Sequence, residues 1–323
     1  MTKITQVAVA VIVNQKQQVC ISLRHKDAHQ GSLWEFPGGK IEHDETVEQA
    51  LVREIKEELN LEILKSRPLI SITHEYTDKK VCLHVNKIVS YRGEAVGMEG
   101  QIVKWISFAE LSEYDFPKAN IPIIKSLQLS DKYLITGNFL DADDYLCKLK
   151  KALEKNIKLM QLRLKPGNCE DKTQLQTILT QTSYLCKQSA VKLMLNVPAD
   201  SIEWVHSNRI EFDGYHLDSK TLISLCTDTI NIHDNGKLLS ASCHNEEELQ
   251  YAIKLKADFV VLSPVQKTAS HPEMAALGWQ TFSDMIEQIS VPVYALGGVA
   301  EQDIELAWKH GAQGVAAISA FWN

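Results

Sequence analysis

Three glutamates set the chemistry of this sequence. Glu54, Glu57 and Glu58 stand at i, i+3 and i+4 within Thr46 to Leu61, a stretch free of Gly and Pro in which Val47, Leu51 and Ile55 recur at helical spacing. On such a helix all three carboxylates share one face. Like charges this close repel one another, and the strain is relieved when something positive lies among them. A hard divalent cation, Mg2+ or Mn2+, meets that need, because it takes oxygen ligands and binds substrate phosphates as well. A solvated acidic face is the other reading of an isolated E-x-x-E-E.

The surrounding residues choose between the two. Gly39 is followed after five residues by Glu45, after seven more by Arg53-Glu54-Ile55, after one by Glu57-Glu58 and after one by Asn60-Leu61. This array resembles the Nudix box of the Nudix hydrolases: G, five residues, E, seven residues, R-E-U, one residue, E-E, one residue, G-U, with U aliphatic. The last Gly is Asn60 here, and Asn comes next after Gly in tolerating the left-handed conformation at a helix end. The resemblance implies that Glu54, Glu57 and Glu58 are catalytic carboxylates that hold the metal. Arg53 belongs to the same set, paired with Glu45 to brace loop and helix.

Residues 3–128 resemble, more narrowly, the MutT branch, whose members hydrolyse 8-oxo-dGTP. The matching pieces are Leu33-Trp34-Glu35-Phe36-Pro37-Gly38-Gly39-Lys40-Ile41-Glu42, Glu99-Gly100-Gln101, and Phe116 to Pro122. The resemblance implies an α/β/α sandwich around a mixed sheet, with Gly38 and Glu99 completing the metal set. It also implies that Arg24 holds the nucleotide, Phe36 lines the base pocket, and Asn120 reads the oxidised purine through an amide offering donor and acceptor. Where the branch has an Arg on the strand after the box, this chain has Lys79, which lacks bidentate reach. Local sequence alone leaves other roles open. Asn120 suits the N-cap of a helix starting at Ile121, Phe36 and Trp34 suit a core, and Glu99 suits a solvated loop.

Several elements must position these groups. Val7 to Val13 and Val19 to Leu23 are β-rich runs around the polar Asn14 to Gln18, a hairpin-like start. Further strands are expected at Leu69 to Tyr76, Val81 to Tyr91 and Ile102 to Ile106. A closing helix is expected at Asn120 to Leu127, with Pro122 in its first turn.

A chain of 323 residues has room for two domains, here 1–129 and 130–323. A net charge of -7 and a pI near 5.9 argue against a nucleic-acid polymer as partner, but leave free nucleotides open, since a metal carries the phosphate charge. Seven cysteines, an odd number without C-x-x-C spacing, suit reduced thiols of a cytoplasmic protein. No apolar run approaches the length of a membrane span.

After Asp131 the pattern changes. Short apolar runs at Tyr133 to Thr136, Lys158 to Leu164, Lys192 to Val197, Gly214 to Leu217, Leu238 to Cys243, Phe259 to Val265, Val291 to Leu296 and Gly314 to Ser319 alternate with helix-like stretches. Eight such units predict a (β/α)8 TIM barrel with its site at the C-terminal strand ends, compact beside the usual ~250 residues. Gln161, Arg163, Lys165, Asn196, His216, Ser242 and His244 fall at or near those ends. Gly297, Gly298 and Ser319 follow the last two strands, where barrels often seat a phosphate. This half resembles the thiamine-phosphate synthase and TenI superfamily, through Gln161-Leu162-Arg163-Leu164-Lys165, Gly297-Gly298-Val299 and Ile318-Ser319-Ala320. The synthases' Asn-Asp after the third strand is Asn196-Val197 here. Their metal-binding Asp after the fourth falls near Thr221, and their Thr-x-Thr-Lys loop appears as Thr268-Ala269-Ser270-His271. Two missing carboxylates remove the means of holding Mg2+ on a pyrophosphate. A TenI-like tautomerase of thiazole phosphate, or a barrel that binds a thiazole or thiamine phosphate without catalysis, fits better. His216, His244 and His271 are titratable near neutrality, so each suits either acid/base work or a structural place.

The whole chain then reads as an 8-oxo-dGTP pyrophosphohydrolase joined to a degenerate thiamine-synthase-like barrel. Hydrolysis of damaged thiamine diphosphate analogues is the second enzymatic reading, and a regulatory or scaffolding barrel the non-enzymatic one.

Overall fold

The computed structural model describes residues 4–164, 172–196, 205, 210–227, 236–268, 275–287 and 289–322. The chain divides into two compact units, Met1–Gln128 with Ile286–Pro292, and Leu129–Met285 with Val293–Asn323.

The first unit is built around β1 (Ile4–Ile12). Successive side chains of a strand point to opposite faces, and both faces of β1 are covered. Val9 and Val11 enter a core with Phe36, Ile72, Val85, Leu111 and Ile123, while Ala8, Ala10 and Ile12 enter another with Leu51, Ile55 and Leu59. The second core packs under α1 (Val47–Leu59) and the first takes in α2 (Ile121–Leu127). Helices therefore cover both sides, as the expected α/β/α sandwich requires. Strands β4 (Gly38–Lys40), β1, β6 (Lys80–Arg92) and β5 (Glu62–Glu75) form one sheet in that order. In it β1 and β6 run parallel and the other pairs antiparallel. A second sheet orders β3 (Trp34–Glu35), β2 (Gln18–Leu23) and β7 (Val103–Ser107).

Two sequence expectations need correction here. The hairpin at the start is a single bridge, Val13 to Val19, because both edges of β1 are taken by β4 and β6 and β2 turns into the other sheet. Strand β5 begins at Glu62 rather than Leu69. It passes through Pro68, which lacks an N–H for the ladder, by shifting register between Ile63 and Ile70.

The box helix is capped at both ends. The Thr46 hydroxyl accepts from the Gln49 N–H, and the Gln49 side chain accepts from the Thr46 N–H, a capping box. At the other end Asn60 turns left-handed, with φ 56°. Its N–H bonds the Lys56 carbonyl, which would otherwise lack a partner.

In the second unit, among the described residues, eight parallel strands close into a barrel: β8 (Lys132–Ile135), β9 (Leu159–Arg163), β10 (Lys192–Asn196), β11 (Gly214–Leu217), β12 (Leu238–Cys243), β13 (Phe259–Leu262), β14 (Val293–Leu296) and β15 (Gly314–Ala317). Strands of four to six residues explain how so few residues complete the circuit. Tyr133, Ile135, Leu159, Met194, Phe259, Val261, Tyr294 and Ala316 pack together as one core, at alternate positions where two come from one strand. No helix among the described residues is long and apolar enough to cross a membrane.

Candidate active site

Helix α1 does bring Glu54, Glu57 and Glu58 to one face, and the positive group among them is Arg53. Its Nε and Nη2 donate to Glu45 at 2.9 and 2.8 Å, Nη1 reaches Glu54 at 2.8 Å and Glu57 at 3.3 Å, and Nη2 also donates to the Lys40 carbonyl at 3.1 Å. The guanidinium thus ties the loop before the helix to the helix itself. It holds the Glu45 carboxyl down to about 2, through its hydrogen bonds first. Among the described residues no three His, Cys, Asp or Glu side chains stand ready to hold a metal as a group. Arg53 already engages two of the expected ligands.

Glu58 lies outside that pairing. Its carboxylate accepts the Gly38 N–H at 3.1 Å. Burial pushes this carboxyl up to about 8; the charges of Glu35, Glu54 and Glu99 add to the rise, and the Gly38 N–H opposes it. Glu35, on β3, is likewise raised by burial, to about 7, although its partner Arg24 pulls the other way. Glycines let the helix come this close to the sheet. A Cβ on Gly39 would lie 2.2 Å from the Glu54 carboxylate, and one on Gly38, whose φ is +146°, would lie 2.1 Å from the Ala8 carbonyl oxygen. Glu99 is exposed on the loop after β6, and its charge reaches Glu58.

The nucleotide-side residues have distinct surroundings. Arg24 pairs with Glu35 and donates from Nε to the His29 carbonyl at 3.0 Å. Phe36 is 2% exposed and stacks on Phe116 at 5.5 Å, so it is a core aromatic in this structure. Asn120 sits immediately before α2, at the N-cap, yet its side chain makes no capping hydrogen bond. It is buried beside Ala119, which packs in the same core as Phe36, and whose backbone bonds Tyr76, a ring that also senses the charges of Arg24 and Glu35. Lys79 lies in the turn before β6 rather than on the strand, with its carbonyl accepting the Tyr76 N–H at 2.9 Å.

In the barrel, Gln161 and Arg163 lie on β9, and Asn196 pairs with Arg163 across to β10. Gln161 is 1% exposed and its Oε1 has no partner among the described residues. Burial lowers the pKa of Arg163, with Asp218 acting in the opposite sense. Gly297 and Gly298, both left-handed, lie so close to the β13–β14 connection that a Cβ would meet Pro264 at 2.8 Å or the Lys267 carbonyl at 2.5 Å. Ser319 begins the exposed start of a four-residue helix, Ser319–Trp322. Lys165, His271 and the segment 197–204 lie outside the described residues. His216 is not placed for acid/base work. Nδ1 lies 2.8 Å from Ser240 and 3.2 Å from Tyr133, Nε2 lies 2.8 Å from Ser242, and burial drives its pKa down to about 3, with the Arg163 charge adding to it. His244 is fixed by its Nδ1 to Ser263 and by its N–H to Glu248.

A family model described as thiamine monophosphate synthase matches residues 132–321, and one described as NUDIX domain matches residues 8–126. The second half is similar to the "putative thiamine-phosphate synthase 2" of Aquifex aeolicus (strain VF5), 32% identical over 195 residues, 60% of this chain and 99% of the relative. The first half is similar to the 8-oxo-dGTP diphosphatase of Escherichia coli (strain K12), 39% identical over 123 residues, 38% of this chain and 95% of the relative. The chain belongs to both families. A CTP pyrophosphohydrolase of the same E. coli strain is also similar, 33% identical over 118 residues, 36% of this chain and 87% of the relative.

The protein is thus a Nudix hydrolase fused to a thiamine-phosphate synthase/TenI domain. Nudix hydrolases generally need a divalent metal, and the residues here fit one. The donors are hard oxygens, Glu58 is a half-buried carboxyl that ionises only against opposition, and the glycine cradle brings Glu54 and Glu58 against the backbone. Sequence reasoning gave Glu35 no role, although it was in the quoted Trp34-Glu35-Phe36 segment. Nothing local marks it, since what sets it apart is its charge acting on Glu58 from across the half-buried site. In the synthase/TenI domain it also passed over Asp218, which stands at the end of β11, three residues before Thr221. Asp218 Oδ1 accepts the Thr221 N–H at 2.8 Å, so this carboxylate starts a helix, Ser219–Thr227, while its field reaches Arg163 and His216.

Proposed function

We propose that the Nudix half, residues 1–129, is a Mg2+-dependent nucleoside triphosphate pyrophosphohydrolase whose preferred substrate is 8-oxo-dGTP, cleaved with one water to 8-oxo-dGMP and pyrophosphate. Its role would be to clear oxidised purine nucleotides from the pool used for DNA replication. The observation that carries the substrate choice is Asn120: a buried amide at an N-cap that does not cap, on the wall shared by Ala119 and Tyr76. An amide left over from local bonding can read a purine edge with both donor and acceptor. Glu54, Glu57, Glu58 and Glu99, with the Gly38 backbone, would hold the metal. When bound, the metal neutralises phosphate oxygens and lowers the pKa of an attacking water. Arg24 would hold the nucleotide, oriented by Glu35 and the His29 carbonyl. Arg53 keeps the ligand helix and the Glu45 loop in register.

For the barrel, residues 130–323, we propose a pocket for a thiazole or thiamine phosphate, with Gln161, Arg163 and Asn196 on one side and Gly297, Gly298 and Ser319 on the other; Lys165, outside the described residues, is a further candidate by sequence alone. Synthase chemistry is disfavoured by Asn196-Val197 and by Asp218 serving as a cap. With His216 neutral and bonded at both ring nitrogens, a ligand-binding role is better supported than tautomerase catalysis.

The test is Mg2+-dependent pyrophosphate release by the full chain from 8-oxo-dGTP, dGTP, CTP and thiamine diphosphate in parallel, with Glu57→Gln as the blank. The expected result is a preference for 8-oxo-dGTP that disappears in the blank. Equal turnover of dGTP or CTP overturns the substrate assignment, and faster turnover of thiamine diphosphate moves both halves to one pathway.

A further inference from the structure

The loop between β6 and β7 carries Glu99 between two glycines, Gly97 and Gly100, and this backbone is held against the catalytic helix by unusual means. The last carbonyls of a helix have no intrahelical donors. Here the loop supplies them: the Met98 N–H donates to the Glu58 carbonyl at 2.9 Å and the Val96 N–H to the Leu59 carbonyl at 3.1 Å. Gln101 closes the loop with both ends of its amide. Its Nε2 donates to the same Glu58 carbonyl at 3.0 Å, and its Oε1 accepts the Glu99 N–H at 2.9 Å. Gly97 makes room, since a Cβ there would lie 2.2 Å from the Gln101 carbonyl oxygen and 3.0 Å from its Oε1. One half-buried side chain therefore joins the backbone of one acidic residue to the backbone of another.

We infer that Gln101 is a positioning residue for the metal site, fixing the exposed Glu99 at a set distance from Glu58 by clamping its loop to the last turn of α1. The inference rests on the metal role proposed for Glu58 and Glu99. Gln101 itself offers the site no ligand, because both amide ends are spent on backbone. Without the clamp, a carboxylate flanked by two glycines loses its fixed position, and its contribution to cation binding falls with the fraction of time it spends in place.

Mn2+ binding to the full chain, without nucleotide, tests this by EPR titration of free Mn2+. Gln101→Met keeps the side-chain length and removes both hydrogen bonds. It is expected to weaken Mn2+ binding about threefold to tenfold, the range of one or two net hydrogen bonds. Glu99→Gln is expected to weaken binding at least as much. Because Gln101 acts through Glu99, the double variant should bind no more weakly than Glu99→Gln alone. Wild-type affinity in Gln101→Met, or losses that multiply in the double variant, overturn the inference. Hydrogen exchange at the Glu99 amide reads the clamp without metal: it should accelerate at least about tenfold in Gln101→Met, and an unchanged rate counts against the clamp. Unaltered Mn2+ binding in Glu57→Gln would instead overturn the metal assignment on which the inference rests.

Discussion

Metal binding by this enzyme should release a proton, and Glu58 should be its source. The carboxyl stands near 4.5 in an open chain and about 8 in the metal-free fold, because burial and the charges of Glu35, Glu54 and Glu99 oppose its ionisation. At pH 7 it is then about nine-tenths protonated, and a divalent ion that takes the carboxylate displaces about one proton. Affinity should rise about tenfold per pH unit from pH 6 toward 8 and level off above. Calorimetric titration of Mg2+ into the full chain, in two buffers of different ionisation enthalpy, counts the protons. Glu58→Gln should lower affinity and abolish the count contributed by this group, leaving a smaller one from Glu35. The same difference governs metal-free stability. A carboxyl raised on folding favours the fold most below pH 4.5, and that contribution is lost as pH rises through 8. At about 1.4 kcal/mol per pH unit it is worth at most about 5 kcal/mol. The metal-free protein should therefore weaken between pH 5 and 8, and added metal should restore more stability at pH 8 than at pH 6. Zero proton release at pH 7, with affinity flat from pH 6 to 8, would refute this account of the Glu58 carboxyl.

Three further outcomes follow from the geometry. Gly39→Ala places a Cβ on the Glu54 carboxylate, so kcat should fall about a hundredfold with the far-UV circular dichroism unchanged. Asn60→Gly relieves a left-handed residue at φ 56° and should raise the thermal midpoint, by up to about 1 kcal/mol of stability, with activity kept. The His216 ring should show no titration between pH 4.5 and 8.5 in histidine-selective NMR, since its pKa lies about 3; a midpoint near 6.5 would show that the ring is not enclosed as described.

The carboxylate triad was legible because a helix is local: residues at i, i+3 and i+4 share a face whatever the rest of the chain does. Eight barrel strands were legible from apolar runs alternating with helical stretches, and the glycine pair at 297–298 from its place after the seventh. Pairing partners were not. Whether Val7 to Val13 met its neighbour in a hairpin depended on β4 and β6, whose residues lie far along the chain, as in Val9 with Gly38 and Val9 with Val85. The pairing of Arg53 with Glu45 was expected from the box, but its reach to Glu54 and Glu57 needed side-chain geometry. The worth of Glu35 and Gln101 came from what they lie against, and nothing in their own neighbourhoods announced it. His216 kept its neutral, structural character hidden until the strands around it closed.

Strand β1 carries none of the proposed ligands, yet it sets where they lie. Small Ala8 and Ala10 face the helix that carries the glutamates, while larger Val9 and Val11 face away. Val9 pairs with Gly38, the residue whose N–H holds Glu58. A slip of β1 by one position would push valines beneath α1, put alanines in the opposite core, and carry Gly38 off its mark, all at once. The alternation of side-chain size along one buried strand thus acts as the vernier of the catalytic site, and an active enzyme is evidence that this strand lies in one register only.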